Sequence, residues 1–167
     1  RDLWKGSSVS LIQRINETGA IFVECHGCFI RREFLITNKI FFPKMSVGED
    51  EVFMCDLILK AKSFSYFDQI QYVHTATTGG LATTFDSINI NSYSVGISIV
   101  RRLHTRQRDD EKRSFLELVL ISLFKSLCYY LLIFYLDKGI TYDDEMNSSL
   151  KWLTKRILSH FKSINTP

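Results

Sequence analysis

Three sets of residues in this chain have types and spacings that could do chemistry. The first is Cys25-His26-Gly27-Cys28, two thiols three positions apart with an imidazole between them. That spacing suits a metal or a redox pair. A structural zinc site takes about four nitrogen or sulfur ligands, and no second C-x-x-C follows, while Cys55 and Cys128 lie far off in apolar patterns. The alternative is that the four cysteines are small, reduced core residues, as suits a cytosolic protein. The second set is Ser46-Val47-Gly48-Glu49-Asp50. Ser46 and Glu49 have the form of a capping box, in which Glu49 closes a helix back onto Ser46. Asp50 then falls in the first turn, where a carboxylate complements the helix dipole. The third set is basic: Arg31-Arg32, and His74 shortly before Gly79-Gly80.

The elements that must hold these residues follow from periodicity and punctuation. The stretch Leu3 to Thr18 is mixed, with a helix around Val9 to Ile15 stopped by Gly19. Ala20 to Cys25 is short, apolar and β-prone. Arg31 to Asn38 reads as a short helix. The helix after the capping box is expected to run to about Lys62, with Asp50, Met54, Leu57 and Ala61 on one stripe in line with a buried face. Phe64 to Phe67 and Ile70 to Val73 read as short strands, and Thr75 to Thr84 as a polar loop. Ile90, Tyr93, Ile97, Val100 and Leu103 then form one helical face. A long helix covers Asp110 to Asp137, and its polar residues Glu117, Ser122, Lys125, Ser126 and Tyr129 make only a narrow stripe. A final helix carries Leu150, Leu153, Ile157 and Phe161 on one side, with Lys151, Lys155, Arg156 and Lys162 as its charge.

Composition bounds what these elements can be. Of 167 residues, 46% are hydrophobic and 23% charged, which excludes disorder as the main state. Lys plus Arg number 21 and Asp plus Glu 18, and a formal charge of +3 is too mild to call for nucleic acid. The chain opens on Arg1 without the pattern of a signal peptide, and reads as a piece of a longer protein. Phe115 to Leu136 is the best membrane-span candidate, but Glu117 and Lys125 interrupt it and the expectation is that it does not span. Neither a Walker nor a Rossmann phosphate loop is present.

Between Glu24 and Thr84 the motifs come in a telling order: Phe29-Ile30-Arg31-Arg32-Glu33-Phe34-Leu35, then Asn38-Lys39-Ile40-Phe41-Phe42-Pro43, then Gly48-Glu49-Asp50-Glu51-Val52-Phe53, then Tyr72-Val73-His74 before Gly79-Gly80. This run resembles the acceptor half of inverting family-two glycosyltransferases of the GT-A fold, enzymes that build bacterial surface polysaccharides. The resemblance implies an α/β fold with more helix than strand: the C-terminal half of a GT-A-like domain at 1–86 and an extended helical tail at 87–167. It implies transfer, with inversion, of a sugar from a nucleotide-sugar donor to a glycan or lipid-linked acceptor, and it assigns the base to Asp50. Inversion needs one carboxylate to take the acceptor hydroxyl's proton as that oxygen attacks the anomeric carbon. Glu49, His26, Arg31 and Arg32 are the implied substrate-side residues, with His26 standing where the family often has Trp. His74 is implied to lie by the donor diphosphate or the metal. The family's Mg or Mn is held by a D-x-D motif in its N-terminal half. This chain has no D-x-D, so the fragment alone is expected to hold no metal and to transfer nothing.

The resemblance places such a protein in the cytoplasm, at the inner face of the membrane. The final helix supports that independently, since an apolar face flanked by Lys and Arg binds anionic headgroups. The competing reading is that the long and final helices simply pack on each other. A different function class also fits the helical half: a non-catalytic interaction or membrane-surface module, with Arg101, Arg102, Arg106 and Arg108 as its patch.

Overall fold

The computed structural model describes residues 4–19, 25–66, 73, 75 and 87–137. Along these run β1 (Trp4–Ser7), α1 (Ser8–Thr18), α2 (Arg32–Asn38), α3 (Glu49–Lys60), β2 (Ser63–Tyr66), α4 (Ser87–Arg106) and α5 (Asp110–Asp137). Helix exceeds strand. The two strands pair antiparallel, Trp4 opposite Tyr66 and Ser7 opposite Ser63. Backbone contacts divide the chain into two compact units, 1–131 and 132–167. The division falls within α5, so α4 and most of α5 belong with the elements before residue 87.

Local chemistry explains most of the boundaries. Ser7 caps α1, its hydroxyl accepting the Ser10 N–H at 3.2 Å. Gly19 ends α1 in the left-handed region at φ 66°, its N–H bonded to Ile15 O at 2.7 Å. Helix α2 ends similarly, but on Lys39 at φ 52°, a conformation that disfavours any residue with a Cβ. The Ile40 N–H reaches back to Leu35 O at 2.9 Å and its side chain is buried, the apolar contact that accompanies such an end. Asp109 caps α5 through the Lys112 N–H at 3.0 Å.

Several expectations need correction. Trp4–Ser7 form a strand, β1, where the sequence predicts a mixed, partly helical stretch. The second strand begins at Ser63, one residue before the expected Phe64, and Phe67 lies outside the described residues. Helix α3 stops at Lys60, because Ala61 turns to extended backbone. The strands expected at Ala20 to Cys25 and Ile70 to Val73, the glycine loop and the final helix fall wholly or largely outside the described residues.

The core of the first unit is built from Ile12 and Ile15 of α1, Ile40, the buried side of α3, Tyr93, Ile97 and Val100 of α4, and a stripe of α5 from Phe115 through Leu116, Val119, Leu120 and Leu123 to Leu127. Burying each such side chain contributes about 1.5–3 kcal/mol. Gly96 lets the helices approach: a Cβ there would lie 2.9 Å from Met45 Cε, 3.3 Å from Val52 Cγ2 and 3.6 Å from Leu123 Cδ2. By length and composition Asp110–Ile133 is apolar enough to cross a membrane, despite Glu117 and Lys125. Much of that stretch is buried inside the protein, and the core helix of a globular domain is just as apolar. Glu117, one of the two interrupting charges, is matched by His104 at 3.0 Å.

Candidate functional site

The approach to α3 is set residue by residue. Phe42 stacks flat on Phe53, ring centroids 4.1 Å apart, and so ties the Phe41-Phe42-Pro43 segment to the helix it precedes. The Ser46 N–H donates to Ser92 Oγ of α4 at 3.0 Å. Gly48 then enters the left-handed region at φ 73° and is the N-cap. A Cβ at this position would meet Tyr93 Cε1 at 2.9 Å, so glycine is required twice over, for its backbone angle and for the Tyr93 ring.

The expected capping box therefore does not form. Ser46 is engaged with α4, no side chain caps the helix, and Glu49 is simply its first residue. Asp50, half-buried, lies in the first turn as expected, and its Oδ1 accepts the Glu51 N–H at 2.9 Å. Among the described residues Oδ2 has no partner, which leaves lone pairs available to a hydroxyl proton.

The face buried by α3 is not the expected stripe. Glu51, Val52, Phe53, Met54, Cys55 and Ile58 are buried, while Asp50, Leu57 and Ala61 are only half-buried. The carboxylate turned into the protein is thus Glu51, at 6% exposure. Ser122 of α5 faces its carboxyl, and among the described residues Oε1 is buried without a partner. Burial, and then the charge of Asp50, push the Glu51 pKa up to about 7, against the lowering effect of Ser122. Tyr93 faces the same region. Its phenol is pushed up by burial, then by Tyr130 and Glu51, with Ser126 beside it. The Tyr93 and Tyr130 rings lie 5.1 Å apart. The narrow polar stripe of α5 therefore divides: Ser122 and Ser126 serve this interior cluster, while Lys125 and Tyr129 are exposed.

The other residues singled out by sequence lie elsewhere. Arg31 precedes α2 and Arg32 opens it; both are exposed, and neither bonds Asp50 among the described residues. His26 is exposed in a turn where Gly27 has φ 77° and the Cys28 N–H donates to Cys25 O at 3.2 Å. Cys55 is a core residue, but Cys28 and Cys128 are exposed, which corrects the reading of all four cysteines as core. The limited burial of Cys28, and then Cys25, push its thiol up and disfavour the thiolate. His74 lies outside the described residues. No group of three or more His, Cys, Asp or Glu among the described residues is placed to hold a metal ion.

Glu51 is the residue that sequence reading missed. Its signal was present in the apolar spacing of Val52, Cys55 and Ile58, which carries the buried face back one turn to Glu51, with Ser122 and Ser126 four apart on a facing helix.

Compared with known proteins, the chain matches no family model, no curated relative and no solved structure.

Proposed function

We propose that this chain is the acceptor-side part of a GT-A-type, inverting nucleotide-sugar glycosyltransferase, with Asp50 as the base that deprotonates the acceptor hydroxyl. The observation that carries the reading is the placement of Asp50. It stands half-buried in the first turn of a helix anchored by packing, one oxygen fixed by the helix N-terminus and the other without a partner among the described residues. The ordered motifs from Phe29 to His74 supply the family context. The fixed oxygen orients the carboxylate, and the second is the proton acceptor. In this reading the nucleotide, the sugar donor and the Mg or Mn that neutralises the leaving diphosphate are held by parts of the protein that this chain lacks. The acceptor is a glycan or a lipid-linked glycan at the cytoplasmic membrane face.

The test is sugar transfer by the protein expressed with its adjoining coding sequence. Asp50→Asn should lower turnover by about 10²–10⁴-fold with the circular dichroism spectrum unchanged. Near-normal turnover removes Asp50 from the mechanism. This chain alone should transfer no sugar.

A second reading rests on a different observation. Arg102, Arg106 and Arg108 are exposed where α4 gives way to α5, a basic surface suited to anionic headgroups. Salt-sensitive flotation with anionic vesicles, combined with an unaffected Asp50→Asn variant, would favour a membrane-surface module over an enzyme.

A further inference from the structure

Cys25 and Cys28 are the two ends of a tight turn, and the proposed transfer makes no use of either. The Cys28 N–H donates to Cys25 O at 3.2 Å, and Gly27, third in the turn, has φ 77°. Positive φ at that place is the mark of a type II β-turn, and glycine takes it without strain. Such a turn holds the Cα atoms of its end residues less than about 7 Å apart. A disulfide spans Cα separations of about 4.4–6.8 Å. The backbone therefore already sits where a bridge can close. Both residues are thiols in the structure, Cys28 exposed and Cys25 half-buried. Among the described residues no third His, Cys, Asp or Glu joins them to complete a metal site, which leaves the two sulfurs redox chemistry rather than zinc.

The segment that follows is lightly held. Helix α2 has no side-chain cap at Arg31 and buries no residue. Its first turn rests on the Phe34 and Leu35 N–H groups, which donate to Arg31 O at 3.1 and 3.3 Å. Only Phe29 and Ile30 separate Cys28 from that cap, so a constraint on the turn is felt at the start of the helix.

We propose that Cys25 and Cys28 form a reversible disulfide, closed by low-molecular-weight disulfides, and that the closed bridge steadies the entrance to α2. The inference is independent of the proposed sugar transfer. The exposed Cys28 thiolate attacks one sulfur of the small disulfide; that S–S bond breaks, a mixed disulfide forms on Cys28 and one small thiolate leaves. The Cys25 thiolate then attacks Cys28 Sγ, the protein S–S bond forms and the second small thiolate leaves. The two protons given up by the cysteines end on the two departing thiols. The protein is oxidised by two electrons and the small disulfide is reduced by two. Partial burial, and then Cys25, push the Cys28 thiol up. Little thiolate is present at neutral pH, so closure is slow there and quickens as pH rises. A thiol of raised pKa is also a poor leaving group, so the bridge once made reopens slowly. That suits a switch set by the prevailing redox conditions rather than a fast thiol oxidoreductase.

The experiment equilibrates this chain with oxidised and reduced glutathione in mildly alkaline buffer, quenches in acid and maps the cysteines by peptide mass spectrometry. The peptide carrying Cys25 and Cys28 should lose two hydrogens and carry no glutathione. Cys128, exposed and without a second cysteine three positions away, should take glutathione as a mixed disulfide, while buried Cys55 stays reduced. In Cys25→Ser and Cys28→Ser the remaining partner should be trapped as a mixed disulfide. Gly27→Ala, which strains the left-handed turn, should lower the ratio of bridge to mixed disulfide about tenfold, as should unfolding in guanidinium. In the oxidised chain, hydrogen exchange at the Phe34 and Leu35 amides should slow by about threefold or more, and dithiothreitol should reverse the change. Two mixed disulfides in place of the bridge, or a bridge no more favoured in the folded chain than in guanidinium, overturn the proposal. Exchange at Phe34 and Leu35 that is the same in both states overturns the effect on α2. If Gly27→Ala does not fold, the folded and unfolded wild type decide alone.

Discussion

Between Cys25 and Phe42 the residues that the resemblance assigns to the substrate side face water. His26, Arg31 and Arg32 are exposed, and Phe29 and Phe41 are 85% and 67% exposed. Helix α2 buries no residue at all. From Gly48 to Ile58 the pattern reverses: six residues of α3 are buried, one of them the acid Glu51, faced by Ser122 of α5. Both regions mix charge with aromatics, and residue type alone does not separate them. What separates them is attachment. The α3 region is pinned by Ser92 and Tyr93 of α4, whereas α2 is anchored mainly at its end, by buried Ile40 and by Lys60 donating to Asn38 O at 3.1 Å. An acid held by several elements can be aimed; an arginine on an exposed helix can only be offered.

That contrast can be broken by mutation. Leu123→Ala, at a side chain with 0% exposure in the α5 stripe, should cost about 3–4 kcal/mol in urea unfolding. A cost below about 1 kcal/mol would mean that α5 does not seal this core. Gly48→Ala should cost about 2 kcal/mol, from its φ of 73° and the close Tyr93 ring. In the exposed region the signs and sizes change. Lys39→Gly should stabilise by about 1 kcal/mol, since glycine takes the left-handed end of α2 without strain. Phe29→Ser should change stability by less than about 0.5 kcal/mol. A larger loss there would show that Phe29 is covered.

The legible parts of the fold were those written in local chemistry. Gly19 ends α1, and the long helix runs from Asp110 to Asp137, as their caps and periodicity require. The pair β1 and β2 was not readable from either strand alone, because four residues with a glycine, Trp4-Lys5-Gly6-Ser7, become a strand only by pairing with residues about sixty positions away. The capping box failed because a distant partner, Ser92, took the Ser46 N–H. Asp50 was correctly placed in a first turn, but the buried face was read through it when the apolar residues turn the helix toward Glu51. One position of helical register moved the interior acid from one residue to the next. The interior role of Ser122 and Ser126 depends on what faces them, which periodicity within α5 cannot supply.

The account turns on a contrast between two adjacent carboxylates, Asp50 half-buried in the first turn of α3 and Glu51 turned into the core. Carbon-13 titration of the Glu51 side chain in the intact chain tests it most directly. The structure predicts a midpoint near 7, raised by burial and by Asp50, with the protonated form dominant in mildly acidic solution. A midpoint at the ordinary value of 4.5 would mean that Glu51 is solvated and not buried.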